Sequence, residues 1–199
     1  MTAIYRDTPS EPMGPWVMPG TYRVRLTLGG KKYEYEESLT VKMDPRVKAS
    51  TKDLETQFEL SLKCYEGMRN ARRTLTEIQK LRGQLKERQA KTEEKELVAA
   101  LTDLDQKATA LQGVERRRRG RFTPGPRQPA LNRVAGEMQQ LLDLLQGADA
   151  APTTQAVAAI GETEKNLRNL LDRWEDLKAK DAKAVNERLE KAKLPPLKP

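Results

Sequence analysis

The sequence predicts a mainly α-helical protein, in which an N-terminal β-hairpin precedes an antiparallel bundle of about four helices, two long and two short. Three observations predict this fold. Apolar residues alternate between residues 21 and 41, which is typical of strands. From residue 50 they recur every three or four positions, as on the buried face of a helix. Charged residues make up 33% of the chain and aromatic residues 5%, a balance that favours amphipathic helices over a thick globular core.

The hairpin is predicted within residues 19–46, after an irregular N-terminal segment, 1–18. The pair Gly29-Gly30 suits a two-residue turn because glycine tolerates positive φ angles. One face of the two strands carries the apolar residues Tyr22, Val24, Leu26, Leu28, Tyr33, Tyr35, Leu39 and Val41. A two-stranded hairpin is marginally stable alone, so this face must be covered by the helices or by strands from elsewhere.

The helical bundle is predicted over residues 50–193. Ser50 and Asp53 form a capping box that begins the first long helix, and a turn is expected near Thr92. The second helix should span about 93–114 and the third about 130–146. The last helix begins after Thr153 and ends before Leu194-Pro195-Pro196. The expected inward residues include Leu54, Phe58, Leu62, Ile78, Leu104, Leu141, Val157 and Leu167.

Helix lengths predict how the bundle is covered. The first and last helices have about 40 residues each, and the other two about half of that. In an up-down-up-down path the short pair would cover half of the long pair, which leaves the other half to be covered by the hairpin. The residues expected in this hairpin–bundle contact are Tyr22, Val24, Leu26, Leu54, Phe58, Tyr65, Trp174, Val185 and Leu189.

An arginine-rich loop is predicted at residues 115–129, since glycines and prolines exclude a helix there. Its candidate polyanion contacts are Arg116, Arg117, Arg118, Arg119, Arg121 and Phe122. The arginines could bind phosphates while the Phe122 ring stacks on a base. With a net charge of +8, nucleic acid or another polyanion is therefore an alternative partner. The other interpretation is a solvated inter-helix loop.

The sequence predicts no catalytic, cofactor or metal site. There is no histidine, and the lone cysteine, Cys64, falls beside the buried stripe without a partner base. Tyr65 and Trp174 stand among aliphatic residues at helical spacing, which indicates core packing rather than a sugar-binding face. No apolar run reaches the length of a membrane span, and no signal peptide is predicted. Expressed alone, the chain is therefore expected in the cytoplasm.

The segment PGTYRVRLTLGGKKYEYEESLTVKMDPRV resembles the segment that follows the propeller in bacterial exported sortilin-like, BNR-repeat (glycosidase-like) proteins. The resemblance covers about residues 15–60 well and 150–197 loosely, including the Leu194-Pro195-Pro196 ending. The doubled acidic residues of the return strand and the strong basic charge depart from the family pattern.

The resemblance implies that residues 16–43 are the last hairpin of an immunoglobulin-like sheet. The chain would then be a structural or partner-docking C-terminal module of a larger protein that is secreted or periplasmic. Its partner would be the upstream propeller domain or another protein, and any hydrolase activity would belong to that propeller. No catalytic residue is carried over to a position of this chain. The oligomeric state stays open.

Overall fold

The computed structural model describes residues 14–28, 31–113 and 129–198. Strands β1 (Gly20–Leu28) and β2 (Lys31–Val41) form an antiparallel two-stranded sheet, as predicted. Tyr22 pairs with Leu39 and Val24 with Glu37, and the register shifts between Leu26 and Leu28. Cross-strand partners share a face of the sheet, so Tyr22 and Leu39 lie on one face as the alternation predicted. The charged residue Glu37 lies on the same face, opposite Val24.

The helices have the following bounds: α1 Thr51–Gln89, α2 Lys95–Gln112, α3 Leu131–Leu145, α4 Thr154–Asp176 and α5 Lys183–Lys191. A π-helical stretch, Leu177–Ala182, joins α4 to α5, so these three segments form the second long helical unit of the bundle. The prediction of a mainly helical fold with two long and two short helical units is confirmed.

Side-chain caps begin both long units where the sequence placed them. The Asp53 amide donates to the Ser50 hydroxyl over 3.2 Å, and the Ser50 amide donates to the Asp53 carboxylate over 3.1 Å. The Ser50 hydroxyl also donates to the Asp53 carboxylate over 2.7 Å, and this bond, followed by the one from the Ser50 amide, lowers the pKa of Asp53. At the start of α4 the Ala156 amide donates to the Thr153 hydroxyl over 3.2 Å. Each cap satisfies an amide that would otherwise lack an intrahelical partner.

The path of the bundle differs from an up-down-up-down arrangement. The Gln89 side chain of α1 contacts Thr102 of α2, whereas Arg82 reaches Asp105 and Gln112. Lower on α1, an added Cβ on Gly67 would meet Met138 of α3, and nearer the start of α1 the Gln57 side chain donates to the Leu145 carbonyl at the end of α3. Both short helices thus run antiparallel to α1, with α2 beside its C-terminal half and α3 beside its N-terminal half.

Helix α4 returns in the same direction as α1. Leu167 lies beside Gly67, and further along the Trp174 indole donates to the Glu77 carboxylate over 2.9 Å. Because α2 and α3 follow each other end to end, three helical layers are present along the bundle. The half that was expected to contain only two helices does not exist. That expectation assumed that every loop reverses the direction of the chain.

The buried stripe of α1 contains more small and polar residues than the sequence pattern indicated. Gln57, Ser61, Gly67 and Thr74 are buried, while Leu62, expected to face inward, is 37% exposed. On α4, Val157 was also expected inward and is exposed. Ile78, Leu104 and Leu167 are buried and Leu141 packs against the core, as predicted.

Candidate docking surface

The exposed large apolar side chains of the described residues gather at one end of the molecule. They are Trp16, Val17, Val24, Leu39, Leu62, Leu144 and Val157. They lie before and on the hairpin, in the first third of α1, in the last turn of α3 and in the first turn of α4. We call this set the hairpin-end surface. Clustered exposed apolar groups mark interaction sites more often than scattered ones do.

Two apolar residues of the hairpin with described side chains are open to solvent. Val24 is 51% exposed and Leu39 is 54% exposed. Among the described elements, β1 and β2 lie beside each other and neither runs along a helix. In the described part of the chain the sheet has two strands, so each strand has one side along which no other described strand lies and to which another strand could add.

The base of the hairpin is attached to the bundle. The Trp16 amide donates to the Gln146 side-chain oxygen over 2.6 Å, which ties the chain before β1 to the end of α3. The Tyr22 hydroxyl donates to the Met18 carbonyl and holds the lead-in against the strand. A small recess at this base is lined by Trp16, Met18, Met43, Leu54, Phe58 and Gln146. The contact with the bundle thus comes from residues flanking the strands.

Of the predicted hairpin–bundle residues, Leu54 and Phe58 line this recess. Tyr22 is half-buried and Val24 is exposed, while the side chain of Leu26 lies outside the described part. Tyr65 is half-buried beneath the Arg69 guanidinium, which lies 6.0 Å from the ring centroid. Tyr22, Val24 and Tyr65 are thus absent from the described lining of the recess.

Trp174, Val185 and Leu189 do not meet the hairpin, which corrects the expected contact. All three are buried in the bundle core. Trp174 lies beside Glu77, and α5 with Val185 and Leu189 contacts α2 near the C-terminal end of α1. The physical reason is that α4 runs parallel to α1, so the C-terminal part of the second long unit lies far from the hairpin.

Sequence reasoning missed Trp16, Val17 and Leu144 as surface residues. Trp16 and Val17 belong to the segment assigned as irregular, and Leu144 follows the buried position Leu142 by half a turn. The signal that could have identified Trp16 is the presence of an aromatic residue in a proline-rich stretch. Gln146 could not be found in this way, since its role depends on the approach of a distant backbone amide.

The candidate polyanion contacts Arg116–Arg119, Arg121 and Phe122 lie outside the described residues. The flanking residues Gly113 and Ala130 are described and are adjacent. A Cβ added to Gly113 would stand 2.6 Å from the Ala130 Cβ, and the Asn132 side-chain amide donates to the Gly113 carbonyl over 3.1 Å. The chain therefore leaves α2 and re-enters α3 at nearly the same place.

Cys64 lies fully buried in the core. Burial, with a smaller effect of Glu164, raises the pKa of its thiol to about 11. Such a thiol is protonated at neutral pH, whereas a nucleophile needs the thiolate. Over 14–28, 31–113 and 129–198, no three carboxylate or thiol groups are placed to hold a metal ion. None of the helices in these ranges has the length and apolarity to cross a bilayer.

Comparison with known proteins adds no assignment. No family model, curated protein or solved structure matches this chain.

Proposed function

We propose that this chain is a non-catalytic docking module that binds a β-rich partner through its hairpin-end surface. The observation that carries the proposal is the half-exposed pair Val24 and Leu39 on a described sheet of two strands. The bundle provides the stable base, and the recess around Phe58 holds the hairpin at its root. The partner adds at least one strand to an edge and covers the apolar face.

Energetics supports a partner on this face. Full burial of a valine or leucine side chain stabilises by about 1.5–3 kcal/mol, and roughly half of that remains ungained at Val24 and Leu39. Isolated two-stranded hairpins are marginal in water, so a third strand would increase the stability of this one. The same open edges would otherwise favour nonspecific pairing between chains.

The resemblance to exported sortilin-like, BNR-repeat proteins suggests which partner this is. In that arrangement the hairpin completes an immunoglobulin-like sheet whose other strands lie upstream in the same polypeptide, next to a β-propeller. Export of the parent protein is part of the same proposal. Its support is the quoted hairpin motif together with the open face of the sheet.

The test begins with the DNA upstream of the coding region. We expect this DNA to encode repeated β-strands in the same reading frame. An unrelated gene there would contradict the proposal that the partner lies upstream in the same polypeptide. Amide hydrogen exchange is then measured on the chain alone and in the presence of the upstream-encoded domain. We expect the amides of residues 20–25 to become protected at least about tenfold when the partner is present. Unchanged exchange would contradict docking at the hairpin.

Two matched double variants identify the face that docks. Val24→Lys with Leu39→Lys changes the apolar face, and Thr21→Lys with Thr40→Lys changes a cross-strand pair on the opposite face. All four side chains are exposed, so neither double variant should lower the melting temperature of the chain alone. We expect only the first to abolish protection by the partner. Equal effects of both would contradict a face-specific contact.

A further inference from the structure

The C-terminal segment folds back onto the bundle at the end opposite the hairpin. After α5 the chain reverses at Lys193, which has a φ of 57°. The Lys193 amide donates to the Glu190 carbonyl and the Leu194 amide to the Leu189 carbonyl, each over 2.9 Å. This left-handed turn ends the helix and directs residues 194–198 into a groove between α1 and α5.

Three side chains of the groove hold the backbone of this segment. Asn186 accepts from the Leu197 amide over 2.6 Å and donates to the Leu197 carbonyl over 3.1 Å. Gln84 accepts from the Lys198 amide over 2.8 Å and donates to the Lys198 carbonyl over 3.0 Å. A carboxamide that pairs with both backbone groups of one residue imitates a neighbouring β-strand, which is how extended peptides are recognised.

The third contact, from Arg88, is one that a proline can make. The Arg88 guanidinium donates to the Pro195 carbonyl over 2.9 Å. Prolines have no amide hydrogen, so the backbone of Pro195 and Pro196 only accepts hydrogen bonds and has no donor that needs a partner. Their fixed φ angle also keeps the segment extended before it binds, which lowers the entropy lost on docking.

Side-chain recognition is limited to the two leucines. Leu197 is 3% exposed and belongs to the core, while Leu194 is half-buried against it. Pro195, Pro196 and Lys198 are exposed. One buried side chain and five hydrogen bonds are a small contact compared with the helices, so this segment should open locally at lower cost than the bundle unfolds.

We propose that the groove formed by Gln84, Arg88, Asn186 and the Leu197 pocket is a binding site for extended Leu-Pro-Pro-Leu peptides. Residues 194–198 are its resident ligand, and a peptide of the same kind from another chain can replace them. The carboxamides and the guanidinium of the groove hydrogen-bond the peptide backbone, and contacts with the two leucine side chains select the peptide sequence. It is separate from the hairpin-end surface and does not depend on the function proposed for that surface.

The experiment uses the full chain with Leu197→Asp, which releases the resident segment and leaves the groove side chains intact. The probe is a fluorescein-labelled synthetic peptide of residues 192–199, KLPPLKP preceded by alanine, and its anisotropy is measured during titration. We expect saturable binding at least about tenfold tighter than to the unmodified chain, in which the tethered segment competes at a millimolar effective concentration. Adding Gln84→Ala and Asn186→Ala should weaken binding about 100-fold, since four hydrogen bonds are lost.

Absence of binding to Leu197→Asp, or equal binding after the two alanine substitutions, would overturn the proposal. A second measurement covers the case in which Leu197→Asp fails to fold. Unlabelled peptide is added in excess to the unmodified, ¹⁵N-labelled chain, and the Leu197 and Lys198 amide signals are followed by NMR. We expect them to move toward the positions of a free segment, whereas signals that stay in place at millimolar peptide would refute exchange. A peptide with both leucines changed to serine should leave them in place.

Discussion

Gln57, on α1, donates its side-chain amide to the Leu145 carbonyl at the end of α3. The same amide donates to the Ala148 carbonyl over 2.7 Å. A buried glutamine from one helix thus satisfies the last carbonyl of another, and through Ala148 it also holds the turn that leads to α4. This contact also explains why the buried stripe of α1 contains a polar residue at this point.

Gln57→Ala should destabilise the bundle by about 1–3 kcal/mol, because two carbonyls lose a buried donor. Urea unfolding followed by circular dichroism measures the change. The matched control is Gln79→Ala, an exposed position on the same helix, which we expect to change stability by at most about 0.5 kcal/mol. Equal effects at both positions would show that the Gln57 contact contributes nothing.

Two glycines of α1 should respond in opposite ways to a larger side chain. A Cβ on Gly67 would stand 3.0 Å from the Met138 Cε, whereas Gly83 has nothing within 4 Å. Gly83→Ala should stabilise by about 0.5–1 kcal/mol through helix propensity. Gly67→Leu should destabilise by about 1–3 kcal/mol through overpacking, and Gly83→Leu provides the size-matched control. Thermal unfolding distinguishes them, and a Gly67→Leu variant as stable as Gly83→Leu would refute close packing there.

Residues 114–128 should be replaceable by a Gly-Ser-Gly linker without loss of the bundle. Gly113 and Ala130 are already adjacent, so a short connection can close the gap. Reducing the loop from fifteen residues to three should leave stability unchanged or raise it by about 1 kcal/mol, because closure entropy decreases. A melting temperature well below that of the unmodified chain would argue against this expectation.

The arginine-rich segment stays a predicted polyanion contact that can be tested separately. If it binds RNA, replacing Arg116, Arg117, Arg118 and Arg119 by serine should abolish binding of a fluorescein-labelled oligonucleotide. The binding constant of the unmodified chain should also fall steeply with salt, with a slope that grows with the number of phosphates contacted. Binding that survives the four substitutions would remove this alternative function.

Cys64 should make stability sensitive to alkaline pH. Its pKa is raised by burial from 9.0 to about 11, so the folded state disfavours the thiolate. The stabilisation is complete below pH 9, where the unfolded thiol is protonated, and it is lost as the pH rises through about 11. Cys64→Ala should flatten this part of the profile of unfolding free energy against pH. In the folded chain, alkylation by iodoacetamide at pH 8 should be slow and limited by opening. Fast alkylation would contradict the buried thiol.

Local elements of this protein could be predicted from local sequence. The capping box at Ser50, the N-cap at Thr153 and the alternation of Tyr22 and Val24 each depend on residues a few positions apart. Such contacts form in nearly any tertiary arrangement, so the types of the local residues are enough to predict them. The break near Thr92 is of the same kind, since the apolar stripe is interrupted there and the chain is non-helical between Gln89 and Lys95.

The sequence by itself determined the mainly helical class, the hairpin and the positions at which the helices begin and end. Only the tertiary structure decided that α2 and α3 follow each other along α1, and therefore that Val185 and Leu189 lie far from the hairpin. The direction of a chain after a long connection leaves no periodic trace in the residues that flank it. The same holds for Gln57 and Gln146, whose partners are backbone groups about ninety and 130 positions away. Any residue can supply such a backbone group, so sequence pattern cannot predict which one is met.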